Sequence, residues 1–446
     1  APPARSITAA GRASGARARN AGAAMPGRFR IDRATWSWAL YDWANSTFAT
    51  TVMAGFFPVF FREYWNAGAS PTVATLRLGV ANSVASLTIL AIAPVLGAIA
   101  DAGGVRKHLL AGFALLGIAT TGALYLVVHG DWLTAAALYA LAAVGYSGAN
   151  IFYDALLVEV AGPARLDRVS AFGYALGYVG GGLLFAVNVL MVWRPAWFGL
   201  ADAAQAVRLA FPMVAVWWAV FTFPLLRHVH ERPGRGLMRS VGAGLHQLAA
   251  TFRHVRRLRF VARFLVAYWL YIDGVGTVIR MAVAYGLELG FHADDLLLAL
   301  LITQFVGFPA AIVFGRIGER FGPRTGILIA IAVYCVVLVW AACMHDRADF
   351  FGIAITIGLV QGGVQSLSRS LYARLIPAEK SGEFFGFYNM LGKFAAVLGP
   401  VLMGWVGWVT ASPRASMLAL LAPFVAGAWI VWSVDEEAGR RAAEGL

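Results

Sequence analysis

Six charged side chains stand inside long apolar stretches of the sequence, where a charge is costly and is therefore usually functional. Three of them are acidic and three are basic. In chain order they are Asp42, Asp154, Asp273, Arg280, Arg369 and Lys393. Groups of both signs in apolar surroundings can bind an ion, exchange a proton or hold a polar solute, so we expect these six to serve one site.

Amide side chains accompany these charges at helical spacing. Residues four apart lie on one face of a helix. This spacing joins Asn150 with Asp154, Gln361 with Gln365 and Arg369, and Asn389 with Lys393. Asn45 follows Asp42 by three positions, and Asp273 precedes Arg280 by seven. We expect these residues to line one polar cavity that binds a substrate and its coupling ion.

Other kinds of chemistry find little support in the sequence. No nucleophile stands beside a recognisable base, and no phosphate-binding glycine loop occurs. The eight His are scattered over loops, tails and helix ends, which does not suit a metal or haem site. The sequence therefore predicts no catalytic residue, no metal and no cofactor.

The elements that position these residues follow from composition. Hydrophobic residues make up 60% of the 446 and charged residues 13%, whereas a soluble domain carries about 25% charged residues. Twelve apolar runs approach the roughly 20 residues that span a bilayer. They cover 36–61, 78–100, 108–128, 132–157, 169–193, 209–226, 260–286, 296–315, 325–344, 350–372, 384–409 and 415–433. We predict an all-α polytopic membrane protein with twelve transmembrane helices.

The basic residues fall mostly on one side of these predicted spans. Of the 36 Lys and Arg, 26 lie in alternate loops and in both tails, and six lie in the remaining loops. This asymmetry predicts that both termini are cytoplasmic. The net charge of +13 is thereby explained by topology, and we expect no nucleic-acid partner. Lipid is the expected surrounding, in a bacterial cytoplasmic membrane.

Two loops repeat one motif, 218 residues apart. The first reads "LGAIADAGGVRK" and contains Gly97, Asp101, Arg106 and Lys107. The second reads "VFGRIGERFGPRTG" and contains Gly315, Glu319, Arg320 and Arg324. An acid at a helix end can pair with Arg or cap a neighbouring helix, and glycine permits close approach, so we expect both loops to act as gates.

The chain as a whole resembles a known family. The paired loops resemble the signature loop of the major facilitator superfamily. The stretches "LYDWANSTFATTV", "FYDALLVEVAG", "QFVGFPAAIVFGRIGERFG" and "EFFGFYNMLGKFAAVLGP" resemble its branch related to fungal vacuolar amino-acid effluxers. The resemblance implies two pseudo-symmetric six-helix halves, with the first, fourth, seventh and tenth helices lining a central cavity. It also implies that the glycines of "GYALGYVGGG" let the fifth and eighth helices pack closely.

The expected organisation has five parts. They are a disordered basic N-terminal tail (1–34), an N-terminal six-helix half (35–226), a cytoplasmic linker with an amphipathic helix (227–259), a C-terminal six-helix half (260–434) and a cytoplasmic C-terminal tail (435–446).

The expected function is secondary active transport of a small polar solute by a monomer. Charges of both signs in the cavity suit a zwitterion, which agrees with the amino acids that the resemblance implies as efflux substrates. We expect alternating access and coupling to protons. A channel or a membrane-embedded sensor without transport is the alternative. Asp154 and Arg369 can instead form a structural gate pair, and Asp42 can serve a gate as well as coupling.

Overall fold

The computed structural model describes residues 31–234, 259–288, 293–394, 398–410 and 412–444, and the regular structure within them is helical. Ten of the described helices are long and apolar enough to cross a membrane. Two further helical stretches, first and eleventh in order, bring the described spans to the predicted twelve. The prediction of an all-α polytopic protein is confirmed.

The helices are numbered in chain order. The first half contains α1 (Arg33–Thr47, continued by a π-helix over Phe48–Phe56 and by helical turns Phe57–Phe60 and Phe61–Trp65), α2 (Pro71–Gly103), α3 (Arg106–Ala123), α4 (Trp132–Ala155, then Leu157–Ala161), α5 (Leu166–Trp193) and α6 (Ala203–His228). The second half contains α7 (Arg259–Glu288), α8 (Ala293–Phe321), α9 (Pro323–Ala342), α10 (Arg347–Leu375), α11 (Ser381–Phe394 and Leu398–Thr410) and α12 (Pro413–Ala419 and Leu421–Trp432). A short helix, α13 (Glu436–Glu444), follows.

Aspartates fix where several helices begin. The carboxylates of Asp32, Asp131, Asp202 and Asp346 each accept the backbone N–H three residues further on, at the starts of α1, α4, α6 and α10. Such caps satisfy N–H groups that the helix leaves unpaired. They determine the residues at which α1, α4 and α10 begin, and these three helices carry most of the predicted cavity residues.

The two ends of the helix bundle differ. We call the end that carries the α2–α3, α4–α5, α8–α9 and α10–α11 connections, together with α13, the basic face. The other end, which carries the connections around His129, Trp197 and Met344, is the opposite face. Residues 1–30 of the predicted tail (1–34) and residues 235–258 of the predicted linker (227–259) lie outside the described residues, so the amphipathic helix stays a prediction. The last residues of the predicted tail, from Arg33, already belong to α1.

The halves meet along two helix pairs, α2 with α11 and α5 with α8. At Gly97, a Cβ would stand 2.3 Å from the carbonyl oxygen of Gly382, so the backbones of α2 and α11 nearly touch. At Gly315, a Cβ would stand 2.6 Å from the Cβ of Ala171, so α8 also packs closely against α5. Small residues at these positions are what allow the halves to close together.

The role expected for the glycines of α5 is mostly wrong. Only Gly182 faces α8, where an added Cβ would meet Gln304. Gly177, Gly180 and Gly181 face α1 instead, and an added Cβ at Gly177 would stand 3.1 Å from Oδ1 of Asp42. Sequence spacing gives the face that these glycines share but not which neighbour covers it. Their effect is to bring α1, and with it Asp42, against α5.

Candidate functional site

A polar chamber of about 220 Å³ lies between the halves. Seven of the predicted cavity residues line it together: Asp42, Asn150, Asp154, Gln361, Gln365, Arg369 and Asn389. They come from α1, α4, α10 and α11, so residues far apart in sequence converge on one site. Helical spacing on separate segments indicated these seven side chains.

The other four predicted residues lie elsewhere. Asn45 stands behind the chamber wall and donates from Nδ2 to Oδ1 of Asn150 at 2.5 Å. Asp273 is fully buried on α7, beside Thr277 and Gly399, and is not among the residues that line the chamber. The side chains of Arg280 and Lys393 lie outside the described part of the structure.

A buried ion pair closes the chamber toward the basic face. Nη1 of Arg369 donates to Oδ1 of Asp154 at 3.0 Å, and Nδ2 of Asn389 donates to Oδ2 at 3.0 Å. Arg369 is 2% exposed. Because Asp154 belongs to the first half and Arg369 to the second, this pair joins the halves across the cavity. The pair thus lines the chamber and also connects the two halves at its basic-face end.

Serines that the sequence analysis overlooked complete this closure. Nε of Arg369 donates to Oγ of Ser170 at 2.9 Å, and Nη2 donates to the Ser170 carbonyl at 2.9 Å. The Ser170 hydroxyl in turn donates to the Ser366 carbonyl at 2.7 Å. Serine is common in helices for many reasons, so nothing in the local sequence distinguishes these two.

Asp42, the acid of α1, faces the chamber from the side of α5. Its Oδ2 accepts from the Tyr153 hydroxyl at 3.2 Å and its Oδ1 from the Ser46 hydroxyl at 3.3 Å. The side chain is 8% exposed. A carboxylate at this depth is tolerated because it borders a polar cavity instead of lipid.

Tyrosines form much of the remaining wall. Tyr146 was visible in the sequence because it shares a helical face with Asn150 and Asp154. The others gave no comparable signal, since tyrosine is also common at membrane interfaces. The chamber-lining set is Tyr146, Tyr153, Tyr174, Tyr178, Tyr268 and Tyr388. Their ring faces and hydroxyls give the chamber both apolar and hydrogen-bonding surface.

A second, more apolar chamber of about 200 Å³ lies toward the opposite face. It shares Ala49, Thr50, Gln304 and Gln361 with the polar chamber, so the two are contiguous. Its apolar wall comes from α1, α8 and α10 and includes Ala54, Leu296, Leu300, Phe350, Ile353 and Ile357. Ala49 and Thr50 belong to the π-helical part of α1, and π-helical turns are frequent at functional sites.

The first predicted gate loop makes its contacts across the halves. Oδ1 and Oδ2 of Asp101 accept the backbone N–H groups of Gly382 and Glu383 at 2.9 and 2.8 Å, at the start of α11. Nε of Arg106 donates to Oδ1 of Asp101 at 2.8 Å. A carboxylate at a helix N-terminus is favoured by the unpaired N–H groups and the helix dipole. Lys107 lies apart and donates to the Val229 carbonyl at 2.6 Å.

The second gate loop is arranged differently. Glu319, on the last turn of α8, forms an ion pair with Arg168 of α5, and its side chain is 39% exposed. Arg320 lies over the ring of its neighbour Phe321. Arg324 donates to the carbonyls of Trp432 and Val434, both at 3.2 Å, and so ties α9 to the end of α12. The repeated motif therefore predicts two inter-half contacts but not their unequal burial.

Two further charged residues stand at equivalent positions of the two halves but carry opposite charges, and each forms ion pairs. Glu159 and Arg374 occupy equivalent positions, 215 residues apart like Asp154 and Arg369. Glu159 pairs with Arg106 and with Arg232, which follows α6. Arg374 pairs with Asp167 of α5 at 2.5 Å and with Glu436 of α13 at 3.5 Å.

The position of Glu436 links the C-terminal helix to this network. Burial raises the pKa of the Glu436 carboxyl above its ordinary value. Through Arg374, the contact of α13 with the second half extends to Asp167 of the first half. The basic face is thus closed by several contacts between the halves, and within the described residues the chambers extend toward the opposite face.

The unequal burial of the two gate acids leads to a prediction. Asp101→Asn keeps the side-chain size but loses the charge that Arg106 and two N–H groups contact, so we expect at least about a tenfold loss of transport rate. Glu319→Gln breaks a more exposed pair and is expected to cost less than about threefold. Uptake rates normalised to folded protein in the membrane test this. Equal losses in both variants would contradict the asymmetry.

Comparisons with known proteins identify the family of this chain. The family model described as "Vacuole effluxer Atg22 like" matches residues 78–165 and 161–444. The chain is 37% identical over 404 residues to the uncharacterized MFS-type transporter YxiO of Bacillus subtilis, covering 90% of this chain and 94% of that protein. It is 26% identical over 342 residues to autophagy-related protein 22 of Yarrowia lipolytica, covering 69% of this chain and 57% of that protein. The match thus spans little more than half the length of this fungal relative.

Solved structures share the fold. The proton:xylose symporter XylE superposes with a TM-score of 0.71 at 15% identity, covering 90% of this chain and 95% of that one. FucP, a major facilitator superfamily transporter in the outward conformation, gives 0.66 at 11% identity, with 90% and 98% covered. At such low identity these likenesses concern architecture only.

Proposed function

This chain belongs to the Atg22-like family of the major facilitator superfamily, and from this membership we propose that it moves a small polar solute across a membrane by alternating access. The superfamily and branch predicted from the sequence are confirmed, and the chain is a transporter, not an enzyme. Amino acids are the candidate solutes, because charged, amide and hydroxyl side chains line the polar chamber and can bind the polar groups of a small solute.

One observation carries the proposal of alternating access. Among the described residues, the contacts that seal the polar chamber toward the basic face include several that join one half to the other, above all Asp154 with Arg369. Contacts between halves can be exchanged by a rocking movement, and a second state would then open the chamber to the basic face. A channel would need a continuous pore, and a sensor would need no exchangeable seal.

Transport driven by protons is tested by accumulation. Proteoliposomes containing the protein, given a proton gradient, should concentrate labelled leucine above its level in the source compartment. A protonophore should abolish the concentration step because it dissipates the driving force. Equilibration without accumulation would argue for a channel or for uncoupled transport.

Asp273 is the candidate coupling acid, since a fully buried carboxylate within a membrane helix is costly to retain without a role. We expect Asp273→Asn to abolish proton-driven accumulation and to preserve exchange of substrate for substrate, which needs no net proton movement. Both modes are measured in the same proteoliposomes. Undiminished accumulation in this variant would remove Asp273 from the coupling mechanism.

We propose that the basic face is cytoplasmic, in a bacterial cytoplasmic membrane, because the topology predicted from the sequence assigns 26 of the 36 Lys and Arg to the tails and to the loops of that side. In a background with Cys335 and Cys343 replaced by Ser, Trp197→Cys should react with an impermeant thiol reagent added outside intact cells. Trp197 is 72% exposed on the opposite face. His108→Cys, whose parent side chain is 82% exposed on the basic face, should react only after lysis. The reverse pattern would invert the orientation.

A further inference from the structure

Arg369, the described cationic side chain of the polar chamber, has few free N–H donors left to bind a substrate. Arg369 uses three of its five N–H donors on Asp154 and Ser170. Its guanidinium also lies over the rings of Trp38 and Tyr174, at 4.9 and 4.5 Å from their centroids. A substrate carboxylate could reach only the two remaining N–H donors, and displacing Asp154 to gain more of them would leave that buried charge without its partner, which is strongly unfavourable.

The two carboxylates of the chamber, Asp154 and Asp42, differ in the donors that already contact their oxygens. Both oxygens of Asp154 accept from nitrogen donors, those of Arg369 and Asn389. Among the described residues, Asp42 accepts from the hydroxyls of Ser46 and Tyr153. Within the described part of the chain, Asp42 has no ion pair with a basic side chain. These neutral donors stabilise a negative charge on Asp42 without neutralising it, so the carboxylate can still attract a cation.

The wall around Asp42 also favours a cation. The described lining contains two carboxylates, Asp42 and Asp154, against one guanidinium, Arg369, so the formal charge is −1. Six tyrosine rings line the same chamber, and the face of an aromatic ring attracts ammonium groups.

An apolar tail would find its place in the adjoining chamber. That chamber shares Thr50, Gln304 and Gln361 with the polar one. Its wall includes Leu296 and Ile353, so a molecule with a charged end and an aliphatic end can occupy both chambers at once.

We propose that Asp42 binds the ammonium group of the substrate and that the substrate class is a primary amine with an apolar tail. An apolar amino acid is one member of this class, and its carboxylate is not needed for binding. Tyr153 orients the Asp42 carboxylate through its hydroxyl. The proposal rests on the proposed transport function in that it names the solute class of the same cavity.

Three probes separate the contribution of each charge: leucine, isopentylamine, which lacks the carboxylate, and N-acetylleucine, which lacks the ammonium. Binding to the purified full-length protein is measured by calorimetric titration. We expect isopentylamine to bind at least as tightly as leucine, and N-acetylleucine to bind at least about a hundredfold more weakly. Leucine binding without isopentylamine binding, equal binding of N-acetylleucine, or binding of none of the three would each overturn the proposal.

Asp42→Asn tests the assigned residue while keeping its size. We expect the variant to lose at least about tenfold in affinity for isopentylamine and to lose most of the discrimination against N-acetylleucine. A merely structural role would weaken all ligands alike, so unchanged discrimination would overturn the assignment. The same probes, assayed for movement in proteoliposomes, separate the two claims. Amine binding without transport would contradict the proposed function alone, and leucine transport without amine binding would contradict this inference alone.

Discussion

Replacing Arg369 with Met is expected to reduce transport at least about a hundredfold, because it leaves an unpaired buried carboxylate at the closed end of the chamber and removes a contact between the halves. Removing one partner of a buried ion pair also costs about 3–5 kcal/mol of stability. The change leaves Asp154 buried without its guanidinium and also removes the bonds to Ser170. Initial uptake rates in proteoliposomes with equal amounts of folded protein provide the measurement. Thermal unfolding of the purified variant reports the accompanying loss of stability.

Two further variants serve as controls for Arg369→Met. Arg62→Met removes an arginine whose pair with Glu63 is largely exposed, and we expect less than about a twofold change. The double variant Asp154→Asn with Arg369→Met removes both charges, so its thermal stability should exceed that of Arg369→Met. Wild-type uptake by Arg369→Met would show that this pair neither seals nor lines the transport path.

Replacing Gly97 with Ala is expected to slow transport at least about tenfold, since overpacking at a tight contact costs about 1–3 kcal/mol. The added methyl would lie 2.3 Å from the Gly382 carbonyl and 2.8 Å from Cα of Glu383, both backbone atoms that cannot turn away. Because this contact joins the halves on the basic face, the variant should disfavour closure of that face. A cysteine substituted for Gln361, which lines the chamber, should then react more slowly with a thiol reagent added from the opposite face.

Gly79 provides the matched control on the same helix. A Cβ there would meet no atom within 4 Å, so Gly79→Ala should transport within about twofold of wild type. If Gly97→Ala and Gly79→Ala behaved alike, the close approach of α2 and α11 would not be part of the transport cycle.

Much of the cavity could be predicted from the sequence because charges inside apolar helices are rare and conspicuous. Asp42, Asp154 and Arg369 are of this kind, and helical spacing added Asn150 and Gln365 to the same site. The physical basis is that burying a charged group in lipid is costly, so charged side chains inside a membrane helix are confined to positions that face the protein interior or a cavity.

The partners that complete the site could not be predicted in the same way. Ser170 and Ser366 are small polar residues that occur in helices for many reasons, and the wall tyrosines resemble interfacial ones in sequence. Asp167, Glu159 and Arg374 lie near helix ends, where charge is ordinary. Their importance comes only from the contact between the halves, which is a tertiary property.

The repeat predicted both gate loops but not their difference. Asp101 caps α11 and contacts Arg106, whereas Glu319 pairs with Arg168 near the surface. The same spacing of acid, glycine and base thus serves two different contacts. Arg280 and Lys393 stay predicted cavity residues, since their side chains lie outside the described part of the structure.

Substrate counterflow tests the central claim most directly. Proteoliposomes loaded with a high concentration of unlabelled leucine are diluted into a trace of labelled leucine without any ion gradient. A carrier that alternates between two faces should accumulate the label transiently above its outside concentration, because outward-moving unlabelled substrate returns the binding site to the outer face. A monotonic approach to equilibrium, with no overshoot at any leucine or isopentylamine loading, would contradict alternating access.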